Sequence, residues 1–188
     1  MKHLMIDLET MGNKPNAPIV AIGAVFFEPS TGELGAQYSK SVLLASEMNL
    51  GATPDPDTII WWLQQSSEAR SEVVTAVTSI FVALHELSIF VTENKSEGSV
   101  QVWGNGPSLD NVVLRAAYER IGFPAFWPFY KDRCVRTMVE LGRQMGINPK
   151  MDMPFTGDRH NALADAIHQA QYVSVIWQKL IPATVETE

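Results

Sequence analysis

The chain has 188 residues, 46% apolar and 19% charged, with a single cysteine, Cys134; this excludes a disordered or fibrous chain, an internal disulfide and a multi-cysteine zinc site. No apolar run is long enough to cross a bilayer, and Asp7 interrupts the segment where a secretion leader would stay apolar, so a cytoplasmic enzyme or binding protein with no membrane partner is expected. The net charge of −7 is uneven, −8 over residues 1–114 and +3 over 115–159, and carboxylates around divalent cations are offset locally, so charge does not decide for or against nucleic acid.

In chain order, residues 3–8 (HLMIDL) read as a first strand and 17–29 as a second, ending in a turn at Ser30-Thr31-Gly32. Residues 34–44 complete a meander of three. Asp55 or Asp57 starts a helix over 54–65, with Pro56 suited to its first turn. From Ser71 to about Thr92, Val73, Val77, Ile80, Leu84, Leu87 and Val91 recur at helical spacing and predict the longest amphipathic helix. A short strand over 100–106 precedes a helix over 108–122, capped by Ser108 and closed by Gly122. An aromatic segment, 123–130, separates it from a helix over 132–145 that stops at Gly146. A loop, 147–159, leads into a last helix from Asn161 to Leu180. Three strands followed by alternating helices and strands, without repeats or linkers, predict one α/β domain over 1–188 with a mixed central sheet flanked by helices.

Three acidic motifs punctuate this pattern. Asp7 and Glu9 stand at i and i+2 on the first strand and point to one face; paired carboxylates repel unless a proton or hard cation lies between them. Alone, the pair fits a solvated strand end equally well. Asp110 follows the strand that ends in Trp103-Gly104-Asn105-Gly106, at a sheet edge where ligand sites collect, although an aspartate there also suits a helix N-terminus. His160 and Asp165 sit ~140° apart if both are on one ideal helix. They converge only if His160 belongs to the preceding loop and Asp165 to the helix. His168, one turn beyond Asp165, is an alternative ligand or simply a packed residue.

In this order, Asp7-x-Glu9-Thr10, Asp110 after Asn105-Gly106, and His160 with Asp165 near the end, the motifs resemble the DEDDh 3′–5′ exonucleases, which have a ribonuclease H-like fold. The segments TIIWWLQQSSEAR, VWGNGPSLD and HNALADA are similar to a phage-type branch that includes the phage DexA exonuclease, a mycobacterial exoribonuclease and exodeoxyribonuclease VIII-like prophage members. The resemblance implies a sheet of three antiparallel strands with parallel additions. It also implies two Mg²⁺ or Mn²⁺ ions on Asp7, Glu9, Asp110 and Asp165, stabilising the attacking and leaving oxygens. His160 is then the general base, which suits an imidazole of pKa near ~6.5. The implied substrate is single-stranded nucleic acid with a free 3′ end, DNA or RNA, released as nucleoside 5′-monophosphates.

By the same similarity Thr10 and Met11 lie beside the terminal nucleotide. Trp62 joins them as a stacking residue, with core packing the alternative for both Trp61 and Trp62. Arg133, Arg136 and Arg159 either meet phosphates or are ordinary solvated cations, and Cys134 reads as a small structural residue. Ala164 replaces an aspartate frequent in relatives, and Leu109 replaces a phenylalanine. Similar exonucleases are often homodimers. Two rival functions stay open from sequence: a silent binding module of the same fold, and a phosphohydrolase acting on nucleotides.

Overall fold

The computed structural model describes residues 1–157 and 160–182. Three strands come first, β1 (His3–Thr10), β2 (Ile19–Glu28) and β3 (Glu33–Ser41), then four helices, α1 (Leu44–Met48), α2 (Pro56–Leu63), α3 (Ser67–Val74) and α4 (Ile80–Asn94). Strand β4 (Gln101–Gly104) feeds α5 (Asp110–Arg120), strand β5 (Asp132–Cys134) feeds α6 (Val135–Gln144), and the short α7 (Pro149–Asp152) precedes α8 (Ala162–Leu180). The sheet order is β3-β2-β1-β4-β5, with β1–β2 and β2–β3 antiparallel and β1–β4 and β4–β5 parallel, as the sequence implied.

Strand parity divides the core. Leu4, Ile6 and Leu8 of β1 join Ile22, Ala24 and Phe26 of β2 under α4 and α5, among Leu84, Leu87, Val113 and Tyr118. Met5, Val25 and Phe27 face the other way, against Val135 and Met138 of α6 and Ala166, Val173 and Ile176 of α8. Asp7 and Glu9 continue the odd-numbered series of β1, so both project toward α8. Opposite Asp7 on β2 stands Gly23. A Cβ there would overlap the Ala162 carbonyl and the Leu163 nitrogen. The missing side chain lets the first turn of α8 lie directly on the sheet beside the two carboxylates.

Four expectations are corrected. The long helix over 71–92 is two helices broken at 75–79, because Val42 bridges to Thr78, Leu43 N–H donates to the Thr78 carbonyl (2.8 Å), and Ser79 starts α4 as its cap. Val77, which the helical spacing assigned to the core, is 86% exposed. Ser108 does not cap α5: the N-cap is Leu109, without a side-chain cap bond. Residues 132–134 are a strand rather than the start of α6, and the Cys134 thiol caps that helix through Thr137 N–H. Asp132 is held in the strand by four hydrogen bonds from three side chains, one from Asn111 Nδ2 (2.9 Å), one from Trp127 Nε1 (2.6 Å) and two from Arg115 Nη2 (3.1 and 3.0 Å). Finally, α7 interrupts the expected loop over 147–159. The predicted start of α2 is observed: Asp55 Oδ1 accepts from Asp57 and Thr58 N–H, with Pro56 in the first turn.

The contact at Gly23 yields a direct expectation. Gly23→Ala should lose about 1–3 kcal/mol in urea unfolding through overpacking against the α8 backbone. A variant as stable as the parent would show that α8 does not depend on this close approach.

Candidate active site

The sheet ends and the start of α8 enclose a cavity of about 230 Å³ lined by Asp7, Leu8, Glu9, Asn105, Leu109, Asp110, Arg136, His160, Asp165 and Gln169. All five residues expected to carry chemistry are therefore brought together from four separate parts of the chain. Carboxylate oxygens of Asp7, Glu9 and Asp165 lie within 4.8 Å of one another. Asp110, 4% exposed, enters from the first turn of α5. It approaches closely because Gly104 has no side chain: a Cβ there would meet Asn111 Oδ1 and come 3.0 Å from Asp110 Cβ. Asn111, next in sequence, ties this turn to β4 by donating Nδ2–H to the Val102 carbonyl at 3.1 Å.

Burial, with repulsion between neighbours at Asp7 and Glu9, holds Asp7, Glu9 and Asp110 toward their protonated forms. Desolvation raises Asp7 well above the usual carboxylate range, and Asp110, Glu9 and Asp165 raise it further; a hydrogen bond from Gln169 opposes them. Glu9 is pushed up to about 8 by burial, then by Asp165, Asp110 and Glu72. Asp110 rises to about 6 through burial, restrained by hydrogen bonds from the backbone of Leu8, Asp110 and Asn105 and by the charge of Arg136. Oxygen donors only, clustered and desolvated, are the donor set for hard divalent cations, and the residues present fit such ions.

His160 lies outside α8, as the five-residue spacing to Asp165 requires. Its φ is 65°, the only positive value at a non-glycine residue among the described residues. Its backbone N–H donates to Asp165 Oδ2 at 3.1 Å, and Asn161 caps α8 by accepting from Ala164 N–H at 3.0 Å. The imidazole ring meets Trp61 edge to face, centroids 4.9 Å apart.

The substrate-contacting set is distributed differently. Thr10 is half-buried, its hydroxyl donating to the Gly12 carbonyl at 2.6 Å. Met11 and Trp62 are 6% and 4% exposed and pack with Val20. Both line a separate apolar cavity of about 200 Å³ rather than the acidic one. Trp61, at 38% exposure, is the tryptophan beside His160. Of the arginines, Arg136 lines the acidic cavity, Arg133 donates to the Tyr130 and Asp132 carbonyls, and Arg159, like Asp158, lies outside the described residues. His168 packs against Phe155 and Tyr172 in a neighbouring cavity.

Sequence reasoning missed Gln169 and Asn105. Gln169 Nε2–H donates to Asp7 Oδ1 at 2.7 Å. Its position one turn after Asp165 puts it on the same face of α8, a signal that was available. Asn105 carried no comparable signal, since only the fold brings the β4–α5 turn over the cavity.

The mixed sheet with an acidic cavity at its edge is the arrangement that the resemblance to the DEDDh 3′–5′ exonucleases implied. Several solved structures share the fold. The nuclease domain of 3′hExo, a DEDDh family member bound to rAMP, superposes with a TM-score of 0.65 at 15% identity, covering 94% of this chain and 92% of that one. Exonuclease X, in complex with 5′ overhanging duplex DNA, gives 0.55 at 18% identity, with 96% and 95% covered. Escherichia coli ExoI, in its zinc-bound complex with single-stranded DNA, gives 0.70 at 14% identity, with 96% of this chain but 41% of that one covered. No curated protein matches the chain in sequence. The family described as the 3′–5′ exoribonuclease Rv2179c-like domain matches residues 2–177, and the chain belongs to it. Membership of a DEDDh exonuclease family implies the use of divalent metal. No helix among the described residues is long and apolar enough to cross a membrane.

The raised acids make stability pH-dependent in a defined direction. Folded Glu9, at about 8, and Asp110, at about 6, hold protons that the unfolded chain has already released. Their stabilisation is therefore complete at low pH and lost as pH rises through the folded values. In a chelator, Glu9→Gln should gain thermal stability over the parent between about pH 5 and 8, and Mn²⁺ should narrow the gap by stabilising the parent. A difference between the two that does not change with pH would contradict this.

Proposed function

We propose that the protein hydrolyses single-stranded nucleic acid, RNA foremost, from its 3′ end and releases nucleoside 5′-monophosphates. The observation that carries this reading is the convergence of Asp7, Glu9, Asp110, Asp165 and His160 on one open cavity. The family description favours RNA; the 2′-hydroxyl is the group through which such a preference is exerted.

Asp7, Glu9, Asp110 and Asp165 would hold two Mg²⁺ or Mn²⁺ ions, which supply the Lewis-acid charge for in-line displacement at phosphorus. His160 accepts a proton from the attacking water at a ring nitrogen. Oxygen from that water bonds to phosphorus as the P–O3′ bond breaks, leaving a 3′-hydroxyl on the shortened strand and a 5′-monophosphate on the freed nucleoside. Arg136 offsets phosphate charge at the cavity wall, and Gln169 fixes the orientation of Asp7 through its Nε2–H. Leu109 offers the terminal nucleoside an apolar contact, with Thr10 at the edge. Met11 and Trp62 serve from below, packed beneath the β1 end. A silent binding module is disfavoured because every member of the chemical set is present.

Matched RNA and DNA single strands, labelled at the 5′ end, should shorten stepwise from the 3′ end with Mg²⁺ or Mn²⁺ and accumulate 5′-monophosphates. His160→Ala should lower kcat by about 10²–10⁴-fold while metal affinity is retained, whereas Asp7→Asn should lose both. Release of no mononucleotide from any strand would overturn the nuclease reading. Cleavage of free nucleotides with intact oligomers would replace it with a small-molecule phosphohydrolase.

A further inference from the structure

Two adjacent tryptophans join parts of the site that are remote in the chain. Trp62 is buried, and its Nε1–H donates to the carbonyl of Thr10, the residue after Glu9, at 3.0 Å. Trp61 meets the Trp62 ring edge to face at 5.3 Å and an 81° interplanar angle. On its other side it meets the His160 ring at 4.9 Å and 89°. A continuous line of contacts therefore runs from the strand end that carries Glu9, through α2, to the imidazole.

His160 needs such support. A residue with a Cβ holds a left-handed backbone only where its surroundings fix it. On the C-terminal side of His160, Asn161 donates Nδ2–H to Glu72 Oε1 of α3 at 2.8 Å while its Oδ1 caps α8. On the other side the imidazole rests on Trp61. Helices α2 and α3 thus contact His160 and Asn161 respectively. Aromatic edge contacts of this kind have a preferred geometry, so they set ring orientation as well as position.

We propose that Trp61 is a positioning residue for the general base, with the α2–α3 arm presetting the His160 imidazole over the carboxylates and Glu72 securing the next residue. This inference rests on the reading of His160 as base. It assigns the exposed tryptophan a task other than stacking on a nucleobase, and it gives the buried Trp62 the role of anchoring the arm to β1.

The test uses the full chain with Mn²⁺ and a saturating single-stranded oligonucleotide. Parent, Trp61→Ala, Trp61→Phe, His160→Ala and the Trp61→Ala/His160→Ala double variant are compared. Trp61→Ala should lower kcat about 10- to 100-fold with KM unchanged, the size expected of a misplaced catalytic group. Trp61→Phe should recover most of the rate. In the His160→Ala background, Trp61→Ala should cost nothing further, because the two residues act as one unit. In the metal-free protein the His160 ring resonances should move in Trp61→Ala, a readout independent of turnover. A raised KM at unchanged kcat, or the same cost in both backgrounds, would overturn the inference and make Trp61 a substrate contact. A parent that hydrolyses no oligonucleotide overturns the nuclease reading and with it the assigned role. An active parent indifferent to Trp61→Ala overturns the inference alone.

Discussion

The site depends on one close contact, the first turn of α8 lying on the sheet at Gly23. Gly23 is the cross-strand partner of Asp7, so the absence of its side chain opens the sheet where the first carboxylate of the cluster projects. Through that opening α8 delivers Asp165, and one turn later Gln169 reaches Asp7. The remainder of α8 then runs along the same sheet face, where Ala166, Ala170, Val173 and Ile176 form core with Met5, Val25 and Phe27. Small residues at the near end of the helix and larger ones farther along keep this contact close at the site. Gly104 does the same on the β4 side, admitting Asp110.

Bringing four carboxylates together works against folding, and the surrounding structure opposes that tendency. Apolar packing on both sheet faces supplies the stabilisation, since nothing among the acids does. Backbone hydrogen bonds to Asp110, the Gln169 amide on Asp7 and the charge of Arg136 favour the ionised forms, yet burial outweighs them at all three acids with raised values. Local instability of this kind is common where side chains are arranged for chemistry rather than for packing. The structural charges elsewhere are arranged oppositely: Glu47, fully buried, is matched by Arg120 at 2.7 Å and by the Ile19 N–H.

The strands β1 to β3, the Asp55 start of α2 and the span of α8 were readable because each rests on local signals: parity, a cap, a long period. The acidic set was readable because ligand types at fixed order leave a trace in sequence even when their convergence does not. What failed was set by tertiary contacts. The break between α3 and α4 comes from a bridge between Thr78 and Val42, and no periodicity reports a bridge to a residue distant in the chain. The three-residue β5 is too short to show alternation, and the partners of Asp132 that hold it in place lie on α5 and in the aromatic segment. Which of the adjacent tryptophans is buried, Trp62, and which is exposed, Trp61, was hidden for a related reason. Neighbours on a helix point ~100° apart, and only the packed fold says which one faces inward.

The residues that define the chemistry are spread from position 7 to position 165, and α8 contributes its share after all five strands have been laid down. A ribosome-bound or proteolysed fragment ending before α8 would keep Asp7, Glu9 and Asp110 but lack Asp165, Gln169 and one wall of the second core. Such a fragment holds three of the four clustered carboxylates and lacks the helix that closes the cavity around them. On the proposed reading, the site is complete only once α8 has been made, so an unfinished copy carries part of the acidic set without the helix that completes it.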